Sequence, residues 1–187
     1  MKIRTIRGKR GSGKDTLANF MRDELEKMGK RVLIIHFADP VKWFAKELFG
    51  WNGIKDEAGR HLLQTLGTDE VRAHDPNFWV DIISRFAVVM DACNKYDYCL
   101  IPDARFENEL QGVKFRNPEA RTVRIERFNE DGSMWYNPAL TSEQHNHPSE
   151  TSLDNEQELF DYYIRNDKDL TNLNNLAMDM IRRMEEL

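Results

Sequence analysis

The sequence predicts an α/β protein in which helices cover both faces of a parallel sheet. Short apolar segments alternate with longer amphipathic segments along the chain, a pattern typical of strands joined by helical crossovers. A glycine-rich stretch, GKRGSGKDT at residues 8–16, lies between the first strand candidate and the first helix candidate. With 187 residues the chain can bury one sizeable core, so we expect a single domain with insertions.

Each strand is predicted from a short apolar or alternating segment. Residues 2–7 are interpreted as a strand from their position, although Arg4 and Arg7 interrupt the apolar run expected of a central parallel strand. The other predicted strands are RVLIIHF at 31–37, YCLIPD at 98–103, RTVRIER at 121–127 and ELFDYYIRN at 158–166.

The helices are predicted from apolar periodicity. Apolar side chains recur three, four or seven residues apart after Lys14, and Gly29 ends this first helix. The further helices are predicted to begin at Asp39-Pro40 and to cover residues 56–72, a largely buried segment at 78–93 and the amphipathic segment 170–187. Periodicity disappears from Phe128 to Glu150, where we expect a long loop that acts as a lid.

Composition and charge narrow the class of protein. There are 27 Lys and Arg against 32 Asp and Glu, and the net charge of −5 argues against a nucleic-acid polymer or a membrane surface as the partner. No stretch approaches the roughly 20 apolar residues of a membrane span, and no signal-peptide segment precedes the glycines. We therefore expect a cytoplasmic protein. Cys93 and Cys99 match no zinc or redox spacing and are interpreted as free thiols.

The glycine-rich stretch has the spacing of a phosphate-binding P-loop: Gly8, four residues, Gly13 and Lys14. Glycines allow backbone N–H groups to approach a phosphate, the following helix directs its positive end there, and the lysine adds a full charge. Asp15 stands where Ser or Thr is usual, and Thr16 offers a hydroxyl one position later. The alternative is a surface loop rich in glycine and lysine.

Five segments resemble the phage-type deoxynucleoside monophosphate kinases, in the order of that family. They are the loop ending in GKDT, FADPVK at 37–42, LLQTLGTDEVRAHDPNFWVD at 62–81, IPDARFENE at 101–109 and HPSE at 147–150. The resemblance implies a P-loop kinase fold with a five-stranded parallel sheet, a nucleotide-binding helical insertion and a lid. Its implied parts are a core (1–38, 98–127 and 158–187), an acceptor-nucleotide region (39–97) and a lid (128–150). It also implies ATP and Mg²⁺ as cofactors, and the host cytoplasm if a phage encodes the chain.

Residues at the ATP side are assigned from position and resemblance. Lys14 is expected on the β- and γ-phosphates, and Asp103, at the carboxyl end of a buried strand, could hold magnesium together with Thr16. The resemblance places Arg105 across donor and acceptor phosphates, with a surface salt bridge to Glu107 or Glu109 as the alternative. The ATP-binding set is Gly8, Gly11, Ser12, Gly13, Lys14, Asp15, Thr16 and Asn166, the last by resemblance, although Lys168 stands where the family has Gly after Asp.

The acceptor side is assigned to a second group of residues: Asp39, Lys42, Arg60, Gln64, Arg72 and Trp79. Arg60 and Gln64 are four apart and share a helix face, which the resemblance places on the monophosphate. An arginine could hold the phosphate and a glutamine could read a base edge. Phe78 and Trp79 could stack on the base, with burial in the core as the alternative.

The lid departs from the usual kinase pattern, because residues 128–150 contain no Lys or Arg. We expect Arg127 at the hinge to supply the missing charge, with Arg124, Arg121, His145 and His147 as weaker alternatives. The two lid histidines form a poor zinc signal, since they have no third partner.

Two other functions are left open. One is a kinase of the same fold for another phosphorylated acceptor, such as phosphomevalonate or dephospho-coenzyme A, and the other is a non-catalytic nucleotide-binding switch. Small-molecule substrates are expected as the partners, and a homodimer is left open.

Overall fold

The computed structural model describes residues 1–185 and confirms the α/β class. In the described chain a five-stranded parallel sheet has the strand order β2-β3-β1-β4-β5. The strands are β1 (Lys2–Arg7), β2 (Val32–Ile34), β3 (Tyr98–Ala104), β4 (Arg121–Arg127) and β5 (Tyr162–Asn166).

Nine α-helices lie in the described residues. They are α1 (Lys14–Lys27), α2 (Ala38–Phe49), α3 (Glu57–Gln64), α4 (Val71–His74), α5 (Phe78–Ala92), α6 (Glu107–Arg116), α7 (Ser142–Asn146), α8 (Pro148–Thr151) and α9 (Leu170–Glu185). The last two residues of the predicted C-terminal helix, 186–187, lie outside the described residues.

The structure corrects several predicted elements. Strand β2 is shorter than predicted, because the backbone N–H groups of Phe37 and Ala38 turn to the Asp103 carboxylate instead of continuing the ladder. A π-helical segment at Thr65–Asp69 separates α3 from α4 within the helix predicted at 56–72. Helix α6 was missed, and the expected lid loop contains α7 and most of α8.

Apolar side chains fill both faces of the sheet. On one face α1 and α9 pack through residues such as Leu17, Met21 and Leu173. On the other face residues of α5 and α6, such as Ile83 and Leu110, join a second buried cluster. The prediction that α5 is largely buried is wrong for its outer side, where Val88 and Val89 are exposed.

The two arginines of β1 are buried, and each finds partners at an edge of the core. The Arg4 guanidinium donates to the carbonyl oxygens of Ile3 and Glu119 and lies over the Tyr98 ring. Arg7 donates to the Glu150 carbonyl oxygen and to the Asp154 carboxylate. These bonds explain how a central strand accommodates arginine, because a buried guanidinium needs polar partners.

The strand order reverses between the neighbours β1 and β3, because the chain continues from β1 to β2 on one side of this pair and from β3 to β4 on the other side. Ligands of open α/β sheets bind at such a point, outside the carboxyl ends of the strands. The glycine-rich loop follows β1 at this edge, and Asp103 and Arg105 lie at the end of β3. The fold therefore brings two separated predicted segments to one place.

Candidate active site

A single cavity of about 840 Å³ connects the glycine-rich loop, the end of β3, helices α2 and α3, and part of residues 128–150, the segment predicted to act as a lid and called the lid below. Its charged lining contains cations at seven positions: Arg10, Lys14, Lys42, Lys55, Arg60, Arg72 and Arg105. Carboxylates line it at five positions: Asp15, Asp103, Glu109, Glu143 and Glu150. The cavity is thus a local cationic site within an acidic chain.

The glycines of the loop stand where side chains have no room. Gly11 and Gly13 have φ values of 87° and 96°, in the region that favours glycine. A Cβ on Gly8 would lie 2.2 Å from the Ser12 hydroxyl oxygen, which is buried under the loop. The Asn166 amide donates to the Ser12 carbonyl oxygen at 2.9 Å and fixes the loop from behind.

Lys14 lies in the first turn of α1, is 8% exposed and lines the cavity. Its Nζ is 3.2 Å from the Asp15 carboxylate, so the unusual aspartate of the loop pairs with the lysine. His36, 3.8 Å from Asp15, and Lys14 lower the pKa of Asp15 to about 2. Asp15 and Asp39 in turn raise the pKa of His36 to about 9. This histidine is therefore charged at neutral pH and offsets the two carboxylates.

Asp103 lines the cavity, and two backbone N–H groups hold its carboxylate. Its two carboxylate oxygens accept the N–H groups of Phe37 and Ala38 at 2.8 and 3.0 Å. Burial raises the pKa of the Asp103 carboxyl, although the His36 charge and these N–H groups oppose the rise. These two hydrogen bonds fix the direction of the carboxylate.

Arg105 faces the cavity and does not form the side-chain pairs with Glu107 or Glu109 that the alternative interpretation requires. Its Nη1 donates to Glu150 at 2.5 Å and to the Ser149 carbonyl oxygen at 3.2 Å. Only its backbone N–H binds Glu109.

Arg72 lines the cavity, but its donors are committed to the protein. Nε donates to the Gly67 carbonyl oxygen at 2.8 Å, Nη1 to that of Pro76 at 3.4 Å, and Nη2 to Glu109 at 2.5 Å. The other oxygen of Glu109 accepts the backbone N–H groups at the start of α6. The structure thus makes Arg72 the partner of a buried carboxylate rather than a free phosphate ligand.

The remaining cations of the acceptor side are more accessible. Lys42 is 2.9 Å from Asp39, which lies outside the cavity lining and orients the lysine. Arg60 and Lys55 line the cavity, and neither forms an ion pair within residues 1–185. Gln64 lines the same wall, and its amide is 3.3 Å from the His147 Nε2 of the lid.

Eight assigned residues lie outside the cavity lining: Gly8, Ser12, Gly13, Thr16, Asp39, Trp79, Arg127 and Asn166. Trp79 is 1% exposed, packs against Phe44 and Phe78, and donates its indole N–H to the Leu66 carbonyl oxygen, so it belongs to the core instead of stacking on a base. Asn166 supports the loop, because its side-chain amide donates to the Ser12 carbonyl oxygen. Thr16 is half-buried in the first turn of α1.

Arg127 is the hinge arginine that lies against the glycine-rich loop. Its Nη1 donates to the Gly11 carbonyl oxygen at 3.3 Å, and its guanidinium stacks on Trp135 at 4.4 Å from the ring centre. The alternative Arg124 is committed to Glu126 and to the carbonyl oxygen of Leu153. Arg121 and His145 bind backbone carbonyl oxygens elsewhere.

Sequence reasoning assigned no role to several cavity residues, among them Glu150 and Lys55. Glu150 accepts from Arg105 and from the Arg10 backbone N–H, and Lys55 adds a cation to the acceptor wall. The sequence did indicate Glu150, since it is the last residue of HPSE, one of the segments that resemble the kinase family. Lys55 lies in a stretch without periodicity and gave no signal.

The fold and the site together define the class of the protein. A glycine-rich loop closed by a lysine at the start of a helix, beside a fixed aspartate and cavity arginines, is suited to hold and transfer phosphoryl groups. The protein therefore belongs to the class of P-loop kinases.

Structural comparison supports the fold. The chain is similar to a dephospho-CoA kinase from Campylobacter jejuni, with 14% identity, a TM-score of 0.55, and coverage of 100% of this chain and 98% of the other. A shikimate kinase from Acinetobacter baumannii gives 13% identity and a TM-score of 0.51, covering 99% and 93% of the two chains. The APS kinase of Mycobacterium tuberculosis gives 13% identity and a TM-score of 0.51, covering 97% and 96%. At these identities the likeness concerns the fold alone.

The family is shown by sequence comparison. A family model described as deoxynucleotide monophosphate kinase matches residues 49–176, more than half of the chain, and no curated protein matches significantly. The chain belongs to the deoxynucleotide monophosphate kinase family, so it is a phosphotransferase that uses ATP. The matched range begins after the glycine-rich loop, so the assignment is independent of the motif that many kinases share. No helix within residues 1–185 is both long and apolar enough to cross a membrane.

Proposed function

We propose that the protein transfers the γ-phosphoryl group of ATP to a deoxynucleoside monophosphate within this one cavity. ATP would lie on the side of Lys14 and the loop amides, and the acceptor on the wall formed by α2 and α3. The observation that carries the proposal is that Lys14, Arg105 and the free cations of the acceptor wall line a single cavity. A phosphoryl group passing between two bound nucleotides needs this continuity.

The residues at the loop fit a magnesium ion. Mg²⁺ in kinases usually takes one or two oxygens from the protein, and its other ligands are phosphate and water oxygens. Thr16 contributes a hydroxyl, and each Asp103 oxygen accepts one N–H group, so lone pairs are left on both. When bound, the ion would neutralise charge on the donor phosphates. Residues 1–185 contain no cluster of three or more His, Cys, Asp and Glu side chains that could hold a metal ion. A site in which the substrate supplies most of the ligands needs no such cluster.

The acceptor wall supplies separate groups for phosphate and base. We assign the monophosphate to Arg60, with Lys42 and Lys55 adding charge, because these cations line the cavity and Arg60 keeps its guanidinium free. We assign a base edge to the Gln64 amide, which can both donate and accept. Arg72 acts on this wall indirectly, by holding Glu109 and the start of α6.

The chemistry requires charge and alignment rather than a general base. The phosphate of the acceptor has a second pKa of about 6, so it is largely dianionic at neutral pH and attacks without losing a proton to the protein. Lys14 and Arg105 neutralise the group in transit, and Arg127 adds charge beside the loop. Leu140 and Thr141 of the lid line the cavity and would exclude water.

An acceptor panel tests the proposal. ADP release is measured with ATP, magnesium and each deoxynucleoside monophosphate, and in parallel with phosphomevalonate and dephospho-coenzyme A. We expect turnover with at least one deoxynucleotide and none with the other two. Turnover only with a non-nucleotide acceptor would contradict the proposal, and so would ATP binding with no response of the thermal midpoint to any deoxynucleotide. Light scattering of the same preparation tests the homodimer.

A further inference from the structure

The buried carboxylate of Glu150 joins two parts of the active site. Glu150 is 7% exposed and lies in α8, at the end of the lid. One oxygen is 2.5 Å from Arg105 Nη1, and the other accepts the Arg10 backbone N–H of the glycine-rich loop at 2.9 Å. Burial raises the pKa of this carboxyl, but the charge of Arg105 and the Arg10 N–H outweigh the effect, and the pKa lies below its ordinary value.

The contact leaves the reactive edge of Arg105 available. Both side-chain hydrogen bonds of Arg105 in the described chain, to Glu150 and to the Ser149 carbonyl oxygen, use Nη1. Nε and Nη2 form the parallel pair of donors that binds two oxygens of a phosphoryl group. A guanidinium held at one corner by a buried carboxylate presents that pair in a fixed direction.

We propose that Glu150 is a positioning residue, whose carboxylate holds Arg105 and the glycine-rich loop in register so that the free edge of the arginine meets the phosphoryl group in transit. This inference rests on the role proposed above for Arg105. Each donor that Glu150 meets needs an acceptor, and an ionised carboxylate provides acceptors on both oxygens. A glutamine would turn its NH₂ group toward one of the two donors and would lose that bond.

The fold around Glu150 has its own supports. Arg7 donates to the Glu150 carbonyl oxygen and to Asp154, and Arg124 donates to the carbonyl oxygens of Leu153 and Asp154. Leu153 is fully buried. These contacts hold the segment in place without the Glu150 carboxylate, so its loss should disturb Arg105 and the loop more than the fold.

The test is a double-mutant cycle in steady-state kinetics. Glu150→Gln should lower kcat by roughly 10- to 100-fold, the scale expected when a catalytic group loses its alignment, and should change the KM for the acceptor much less. In an Arg105→Ala background the same change should cost less than about 2-fold, because the group it positions is gone. Glu158→Gln, an exposed glutamate beyond the lid, is the matched control and should keep wild-type kcat.

Three results would overturn the inference. One is an unchanged or raised kcat in Glu150→Gln, which would mean that the carboxylate only restrains Arg105. Another is the same loss in both backgrounds, which would indicate a purely structural role. If Glu150→Gln fails to fold, Glu150→Asp replaces it in the cycle, and additive losses there count against the inference. A wild-type enzyme without turnover on any deoxynucleotide would instead refute the proposed function.

Discussion

Replacing Arg72 distinguishes a structural arginine from a substrate-binding one. All three donor groups of Arg72 bind protein oxygens, and the carboxylate that it pairs with, Glu109, is 1% exposed. Removing one partner of a buried ion pair leaves the other charge without compensation, which costs about 3–5 kcal/mol. Arg72→Gln should therefore destabilise the protein by that amount, or lower the thermal midpoint by about 6–20 °C for a chain of this size.

The pH dependence of that loss follows from Glu109. Burial already raises the pKa of this carboxyl, and the Arg72 charge opposes the rise. Without the arginine the pKa of Glu109 rises further. A carboxyl whose pKa is higher in the folded than in the unfolded protein stabilises the fold at pH values below its unfolded pKa. That stabilisation is lost as the pH rises through the folded pKa. The deficit of Arg72→Gln should thus be smaller at about pH 5 than at about pH 8.

The assay is thermal unfolding followed by circular dichroism, with Arg60→Gln as the matched control. Arg60 lines the same cavity and forms no ion pair within residues 1–185, so its replacement should change stability by less than about 0.5 kcal/mol and raise the KM for the acceptor. An Arg72→Gln variant that unfolds at the wild-type temperature, with only the acceptor KM raised, would refute the reasoning.

Three further predictions concern the loop, the core and His36. Lys14→Ala should reduce kcat by at least about 10²-fold in the ADP-release assay and leave the thermal midpoint near wild type, and a smaller kinetic loss would remove the lysine from the site. Trp79→Ala should destabilise by about 3–5 kcal/mol, and a change confined to acceptor KM would restore the stacking interpretation. The pKa of His36 is raised to about 9, so the contribution of its charge to folding stability is complete below about pH 6.5 and is lost as the pH rises through 9. The thermal midpoint should therefore fall between these pH values in the wild type, and should fall less in His36→Gln.

Sequence patterns predicted the parts of the site that depend on local order. The glycine spacing places backbone amides and Lys14 at the start of α1, and a run of apolar residues places Asp103 at the carboxyl end of β3. Strand β4 covers the predicted residues, 121–127, because its alternation is unbroken. These features need no partner that is distant in the sequence.

Roles that depend on distant partners could not be predicted. The Arg72 motif matched an acceptor arginine, but Glu109, 37 residues away, uses it to neutralise a buried charge. Burial likewise decided the role of Trp79, since an aromatic residue in the first turn of a helix has the same sequence pattern in a core and in a pocket. Helix α6 escaped prediction because Phe115, an apolar residue near its end, is exposed and blurs the periodicity.

A lid without cations changes which part of the molecule supplies the charge. In residues 128–150 there is no Lys or Arg, and the structure places two guanidinium groups near the glycine-rich loop at strand ends: Arg105 after β3 and Arg127 at the end of β4. The charged group by which this segment contacts Arg105 is a carboxylate, Glu150, which also binds the glycine-rich loop. In the proposed reaction, cations on rigid elements need no lid movement to reach the phosphates, so we expect the lid to orient charged groups and exclude water rather than to neutralise charge.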